Sequence, residues 1–257
     1  MHEMKSAIWV EITRTRGSTP RDAGTVMKVT ATDTEGTIGG GALEYAAIAK
    51  AQRLLAQCPA EQTETIPLGP NLGQCCGGSV TLRYGYDRQQ QEAPQPPTEL
   101  QPLPDRPLDL WVWGAGHVGR AVIAAAPRTA FDITWIDTAP ERFPPDIPAH
   151  VRKTPAADMP LLAARAPARA HHLIFTYSHE IDLSLCATLL KRGGASIGLI
   201  GSKTKRARFF KRLRHMNLDP SPIICPIGDK SHGKHPDQIA HGAVRALLSA
   251  HQSKALT

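Results

Sequence analysis

The apolar positions of the chain follow two different periodicities, and these divide it into two regions. In the first region, alternating apolar and polar residues predict strands at residues 6–15, 25–30 and 79–86. Apolar residues recur at helical spacing from Ala42 to about Gln57, which predicts a helix between the second and third strands. We therefore predict a small α+β domain over residues 1–86.

In the second region, buried strands alternate with amphipathic helices. The apolar runs predicted to form strands are residues 108–113, 132–136, 171–177, 195–200 and 223–228. One of the intervening helices is predicted from Leu183 to Arg192, with Asp182 as its N-cap. This alternation is typical of α/β proteins and predicts a Rossmann-like, doubly wound parallel sheet over residues 108–257.

The segment between the two regions has no apolar periodicity. Residues 87–107 contain six prolines and five glutamines, a composition typical of an extended linker. We therefore predict a domain boundary in this segment.

A glycine-rich turn follows the first strand of the second region. Its sequence is Gly114-Ala115-Gly116-His117-Val118-Gly119, and the next strand ends at Asp137. This spacing matches a dinucleotide-binding turn, in which an acidic residue about 20 positions on binds the ribose hydroxyls. The pattern indicates NAD(P) or another nucleotide as a ligand, with NAD favoured by Asp137. A crevice that no longer binds a nucleotide is the alternative.

Two further glycine-rich segments lie in the first region. Gly39-Gly40-Gly41 opens directly onto the predicted helix, and free N–H groups at a helix start favour an anion. The segment Gly73-Gln74-Cys75-Cys76-Gly77-Gly78 places two thiols between glycines, which suits a soft nucleophile or a soft metal ligand. The alternatives are a tight turn without a ligand and a pair of buried cysteines.

Composition and charge narrow the protein class. An odd number of cysteines, five, without a C-x-x-C pair argues against a disulfide framework and a structural zinc site. No apolar run is long enough to span a membrane and no signal-peptide core is present, so we expect a cytoplasmic protein. The net charge of +7 equals the number of cations in residues 203–214, which contain no acid. This concentration of charge argues against a general nucleic-acid binder.

The chain resembles the XdhC/CoxI family over nearly its whole length. The resemblance rests on these segments: Arg14 to Arg21, Ile38 to Glu44, Gly73 to Gly78, Gly114 to Gly119, Thr176 to Asp182, Gly198 to Lys203 and Cys225 to Gly228. The three N-terminal segments are specific, whereas the Rossmann segments alone would not be. One departure is Asp229-Lys230-Ser231-His232, where the family has a more apolar stretch.

The resemblance implies an accessory factor for molybdenum hydroxylases rather than an enzyme. Such a factor binds molybdenum cofactor (molybdopterin), supports its sulfuration by a cysteine desulfurase, and inserts it into an apo hydroxylase such as xanthine dehydrogenase. No catalytic residue is expected, and His117 and His179 are interpreted as structural. The alternatives are an NAD(P)-dependent oxidoreductase that uses the Rossmann crevice, and a scaffold that docks its partners through residues 203–214. A monomer and a homodimer are both left open.

The resemblance and the glycine-rich turns together define the expected cofactor-binding residues. In the N-terminal region they are Arg16, Ser18, Arg21, Gly39, Gly40, Gly41, Glu44, Cys75, Cys76, Gly77 and Gly78. In the Rossmann region they are Gly114, Gly116, Gly119 and Asp137. Cys75 and Cys76 are also the expected metal ligands, and which of the two contacts the cofactor is left open.

Overall fold

A computed structural model describes residues 6–57, 60–68, 78–87, 104, 106–228 and 233–255, with side chains up to His251. The chain separates into two compact units, Met1–Pro94 and Gln95–Thr257. The division falls inside the predicted linker 87–107, most of which lies outside the described residues, so its nature stays a prediction. Within the described residues, no helix combines the length and the hydropathy needed to cross a bilayer.

The first unit is an antiparallel sheet covered by one helix. Its elements are β1 (Ile8–Arg16), β2 (Val26–Val29), β3 (Thr34–Gly36), α1 (Gly41–Gln57), β4 (Gln62–Pro67) and β5 (Ser79–Gly85). The strand order is β3-β2-β1-β5-β4. The alternating side chains of β1 place Ile8, Val10 and Ile12 in one core with Leu43, Ala47 and Ala51 of α1.

Two strands of this unit escaped prediction because they carry almost no apolar residues. Strand β3 was interpreted as a polar turn, and all three of its residues are exposed. Strand β4 has the sequence QTETIP, in which partly buried and exposed positions alternate. Both are edge strands, so their register depends on backbone pairing with β2 and β5 rather than on a hydrophobic face.

The second unit is a six-stranded parallel sheet. Its strands are β6 (Leu108–Trp113), β7 (Phe131–Asp137), β8 (Val151–Pro155), β9 (His171–Ile174), β10 (Ser196–Leu199) and β11 (Ile223–Ile224). The order β11-β10-β9-β6-β7-β8 is that of a Rossmann fold, which confirms the predicted α/β class. Helices cover both faces, which is why β6 reads as a nearly continuous apolar run.

The helices of the second unit divide between the two faces of the sheet. They are α2 (His117–Ala125), α3 (Met159–Ala163), α4 (His179–Arg192), α5 (Lys203–His215) and α6 (Pro236–Ala255). Helices α2 and α6 pack in one core, and α3, α4 and α5 supply the other. Helix α4 begins earlier than predicted, because Ser178 rather than Asp182 is its N-cap. The side chain of Asp182 is used elsewhere, as described below.

Candidate functional site

Two of the predicted motifs and Gly78, the last residue of a third, meet at one end of the N-terminal sheet. Arg16, the last residue of β1, pairs with Ser79 at the start of β5, so Gly78 lies beside the Arg16–Ser18 turn. A Cβ atom placed on Gly78 would lie only 2.5 Å from the carbonyl oxygen of Ser18 and closer still to that of Arg16. Glycine is therefore required at position 78 by a close backbone approach.

The triple-glycine turn packs against the same arginine-containing segment from another side. A Cβ atom on Gly39 would lie 2.6 Å from Cγ of Pro20, and the side chain of Arg21 is the next neighbour. Arg21 is buried, whereas Arg16 is exposed and Ser18 is half-buried. The segments 16–21 and 39–44 and the end of the thiol loop therefore converge, as the sequence hypothesis required.

The N–H groups of the triple-glycine turn already have an anionic partner. The buried carboxylate of Glu44 accepts hydrogen bonds from the backbone N–H of Ile38 at 2.9 Å and of Gly40 at 3.0 Å, and from the hydroxyl of Thr37. A carboxylate at the start of α1 is also favoured by the helix dipole. These two N–H groups would therefore have to exchange partners before an external anion could bind them.

The thiols themselves lie outside the described residues. Cys75, Cys76 and Gly77 belong to the segment 69–77 that connects β4 to β5, and the ends of that segment are held together by a hydrogen bond from Leu68 N–H to the Gly78 carbonyl at 2.7 Å. The described residues, which omit both thiols, contain no cluster of three or more metal-ligating side chains. The assignment of Cys75 and Cys76 as metal ligands therefore stays a prediction.

The two cysteines that the structure describes are structural. Cys186 on α4 and Cys225 just after β11 are both buried in the core that α3, α4 and α5 supply. Burial raises the pKa of the Cys186 thiol well above its usual range. Because the thiolate is the reactive form, Cys186 is a poor candidate for cofactor chemistry.

The glycine turn of the Rossmann unit has the expected close packing. Gly114 has a positive φ of 115°, and a Cβ atom there would lie 2.5 Å from the carbonyl oxygen of Phe175. Gly119 packs directly against the Gly114 carbonyl, whereas nothing lies within 4 Å of a Cβ atom on Gly116. Gly116 is also the N-cap of α2, which has no side-chain cap. The space above the start of α2 is therefore open.

The acid expected to bind a ribose braces this turn instead. Asp137 is 2% exposed, and its carboxylate accepts hydrogen bonds from Ala115 N–H at 2.7 Å and Thr138 N–H at 2.6 Å. The guanidinium of Arg142 lies 3.5 Å from the same carboxylate. A ribose would have to share this carboxylate with these donors, and the role of Asp137 in nucleotide binding stays a prediction.

A stacked pair links the loops that follow β7 and β9. The guanidinium of Arg142 lies 3.7 Å from the ring centroid of Tyr177, and Arg120 donates to the Arg142 carbonyl at 3.2 Å. Because β6 lies between β7 and β9, this contact passes over the carboxyl end of β6, where the glycine turn begins. Ligands of open α/β sheets bind at this edge.

A buried ion pair beside the crevice was missed by the sequence interpretation. Lys205 Nζ lies 2.5 Å from Asp182 Oδ2, and Asp182 is fully buried. The hydroxyl of Thr176 donates to the other carboxylate oxygen at 2.6 Å. The signal was present in α5, because Lys205 lies at helical spacing with Phe209 and Leu213 and so belongs to the apolar face. The pair joins the first turns of α4 and α5, the helices that follow β9 and β10.

Comparison with known proteins identifies both units. Residues 2–66 match the XdhC and CoxI family, and residues 110–244 match the XdhC Rossmann domain. The uncharacterized protein YqeB of Escherichia coli (strain K12) is 24% identical over 245 residues, a match that covers 93% of this chain and 42% of YqeB. The chain thus spans less than half the length of that relative. A crystal structure of a xanthine dehydrogenase from Bacillus halodurans matches at 18% identity with a TM-score of 0.49, covering 96% of this chain and 92% of that chain.

Proposed function

Because the chain belongs to the XdhC family, we propose that it is an accessory factor that binds molybdenum cofactor and delivers it to a molybdenum hydroxylase such as xanthine dehydrogenase. In this proposal the protein catalyses no reaction itself. Its partners would be the apo hydroxylase and a cysteine desulfurase that sulfurates the bound cofactor. We place this exchange in the cytoplasm.

The observation that supports this function is the convergence of segments 16–21 and 39–44 with Gly78, the last residue of the thiol motif. Gly78 contacts the backbone of Arg16 and Ser18, and Gly39 contacts Pro20, so segments far apart in sequence share one site. The cofactor would bring a phosphate and a dithiolene-bound metal to this site. The exposed guanidinium of Arg16 suits the phosphate, and a thiolate at Cys75 or Cys76 suits the metal or its sulfur.

The glycine turn has a different role in this proposal. Because Glu44 already accepts from Ile38 and Gly40, we assign the turn to support rather than to phosphate binding. It would hold Pro20 and Arg21 in place beneath the cofactor. This assignment changes the sequence hypothesis, in which the turn itself was the anion site.

Cofactor content of the purified protein tests the proposal. The chain is co-expressed with the cofactor synthesis genes, purified, and assayed for molybdopterin by fluorescence after oxidation. We expect the cofactor in wild-type protein and its loss in the Cys75→Ala/Cys76→Ala double variant, with Cys58→Ala as the thiol control. A double variant that retains the cofactor removes the thiols from the mechanism, and a wild-type protein without cofactor removes the function.

An NAD(P)-dependent oxidoreductase is the second candidate. It is favoured by the open space above Gly116 at the uncapped start of α2, where a pyrophosphate binds in dinucleotide folds. It is disfavoured by the engaged carboxylate of Asp137. Calorimetric titration with NAD and NADP at millimolar concentration tests this function. If no saturable binding heat is observed, the oxidoreductase function is excluded.

A further inference from the structure

The exposed side of α5 carries a concentration of positive charge that neither unit requires for its fold. Seven cations lie between Lys203 and Arg214 without an acid, and they equal the whole net charge of +7. Two of them are neutralised from α4, where Asp182 pairs with Lys205 and Glu180 pairs with Arg212. The other five project from the exposed positions of the helix.

This charge opposes the stability of the helix itself. Like charges three residues apart, such as Arg208 and Lys211, repel each other on a helix surface. Lys203 in the first turn also opposes the helix dipole, although the dipole favours Arg214 in the last turn. A solvated helix face normally mixes both signs of charge, so an unmixed face that weakens its own helix calls for a different explanation.

Two of the arginines are held in place before any partner binds. The guanidinium of Arg206 lies 4.6 Å from the ring centroid of Phe210, and that of Arg214 lies 6.0 Å from the same ring. An arginine stacked on an aromatic ring loses less side-chain entropy when it binds a carboxylate. Met216, which is 47% exposed, adds an apolar contact at the end of the helix.

We propose that the exposed face of α5, formed by Lys203, Arg206, Arg208, Lys211, Arg214 and Met216, docks an acidic surface of the protein that receives the bound cofactor. This inference rests on the proposed function, since it names the surface that meets the acceptor. A protein is favoured over nucleic acid because the positive patch is a single helix about 20 Å long that ends in an exposed methionine. The guanidinium groups of Arg206 and Arg214, which stack on Phe210, suit carboxylates. Phe210 itself is too buried to stack on a nucleic-acid base.

Charge reversal on α5 tests the surface. The variant Arg208→Glu/Lys211→Glu changes two exposed residues that take no part in the core. The variant Arg128→Glu/Arg165→Glu makes the same change of charge at exposed positions away from α5 and serves as the control. Both are measured by biolayer interferometry against immobilised apo xanthine dehydrogenase at 50 and 200 mM NaCl, and their molybdopterin content is measured in parallel.

We expect the wild-type complex to weaken about 10-fold over this range of salt, and the α5 variant to lose about 30-fold or more in affinity at 50 mM. The control variant should stay within about 2-fold of wild type. The α5 variant should keep its molybdopterin, which separates a failed docking surface from a failed cofactor function. The inference is overturned if the α5 variant binds like the control, if wild type does not bind the apo enzyme, or if wild type binds duplex DNA more tightly than it binds the apo enzyme.

Discussion

The two glycine-rich turns of this protein are both stabilised by a buried carboxylate, but the carboxylates come from different places in the chain. In each, a buried carboxylate accepts hydrogen bonds from the backbone N–H groups of the turn. Glu44 comes from the helix that the first turn opens, whereas Asp137 comes from the next strand, 22 residues from Ala115. The local carboxylate accepts from Ile38 and Gly40 just before α1, whereas the distant one accepts from Ala115 and leaves the start of α2 without a side-chain cap.

A glycine-rich motif before a helix is often taken to indicate both a tight turn and a ligand site, and these two turns show that the properties are separate. The first turn has the N–H groups of Ile38, Gly39 and Gly40 engaged within the turn, whereas the second has open space beside Gly116 and no side-chain cap on α2. A sequence containing three glycines before a helix therefore indicates a tight turn, but the nearest carboxylate decides whether the turn is available to a ligand.

The largest effect is expected at the distant carboxylate. Replacing Asp137 by Ala leaves the N–H groups of Ala115 and Thr138 and the charge of Arg142 without their acceptor. We expect a loss of about 4 kcal/mol in the free energy of unfolding of the Rossmann unit, measured by urea denaturation. Asp132→Ala, an exposed position on the same strand, is the control and should change it by less than about 0.5 kcal/mol. Equal effects at both positions would contradict the bracing role.

Acid should destabilise the Rossmann unit more than the N-terminal unit. Burial, and to a smaller extent the neighbouring His171, lowers the pKa of His172 to about 4. Because the folded state keeps His172 neutral while the unfolded chain protonates near the ordinary value of 6.5, this stabilisation is complete above pH 6.5 and is lost as the pH falls towards 4. The Rossmann unit should lose up to about 3 kcal/mol over this range.

The N-terminal unit should resist acid over the same range. A hydrogen bond from Arg83 holds the pKa of Glu61 below its usual value of 4.5. Burial acts to raise the pKa of Glu64, but hydrogen bonds from Tyr84 and Lys50 outweigh it and the pKa is lowered. Stability from both groups is present above 4.5 and is lost only at lower pH.

Hydrogen exchange at pH 5 and pH 7, followed peptide by peptide, measures the two units separately. Protection should fall in β6–β10 and persist in β1–β5. His172→Gln removes the titrating group and should flatten the response, whereas His215→Gln, at an exposed position, should leave it unchanged. A pH response that survives in His172→Gln would rule out His172 as its source.

A smaller effect is expected at the local carboxylate. Glu44→Ala leaves the buried N–H of Ile38 and the half-buried N–H of Gly40 without their acceptor, and water replaces the lost hydrogen bond only at Gly40. We expect a loss of about 2 kcal/mol in the N-terminal unit, measured by its thermal unfolding, and a smaller loss for Glu44→Gln. Glu35→Ala, whose carboxylate is 3.8 Å from Lys28 at the surface, is the control and should have almost no effect.

The smallest effects compare two glycines that both face open space. A side chain at Gly40 would meet nothing within 4 Å, but the positive φ of 73° strains any L residue, so Gly40→Ala should cost about 1 kcal/mol. Gly116 has an ordinary φ of −73° at an N-cap, so Gly116→Ser should stabilise the Rossmann unit by about 0.3 kcal/mol. Differential scanning calorimetry measures the change in unfolding free energy of both variants. A change of the same sign in both would contradict the difference between the two turns.

Much of the fold followed from the sequence because its signals are periodic and local. The alternation of β1, the apolar run of β6 and the glycine turn at Gly114 were interpreted correctly. The edge strands β3 and β4 were not predicted, since neither has a hydrophobic face to report its position. The start of α4 was placed too late, because Ser178 and Asp182 are both good N-cap residues and sequence does not choose between them.

The candidate site divides in the same manner. The residue types of the segments 16–21, 39–44 and 73–78 pointed to one family and to one kind of ligand. Their convergence through Gly39 and Gly78 could not be derived from sequence, because it depends on the antiparallel pairing of β1 with β5. The thiols Cys75 and Cys76 lie outside the described residues, so their role stays a prediction.

By itself, the sequence determined the α/β class, the order of most elements, the XdhC family and the concentration of charge on α5. Only the tertiary structure decided which polar groups are already engaged. Asp137 braces Ala115 from another strand, and Lys205 is neutralised by Asp182 from another helix. The physical reason is that a buried charge takes the partner that packing brings within hydrogen-bond distance, and here that partner lies more than 20 residues away along the chain.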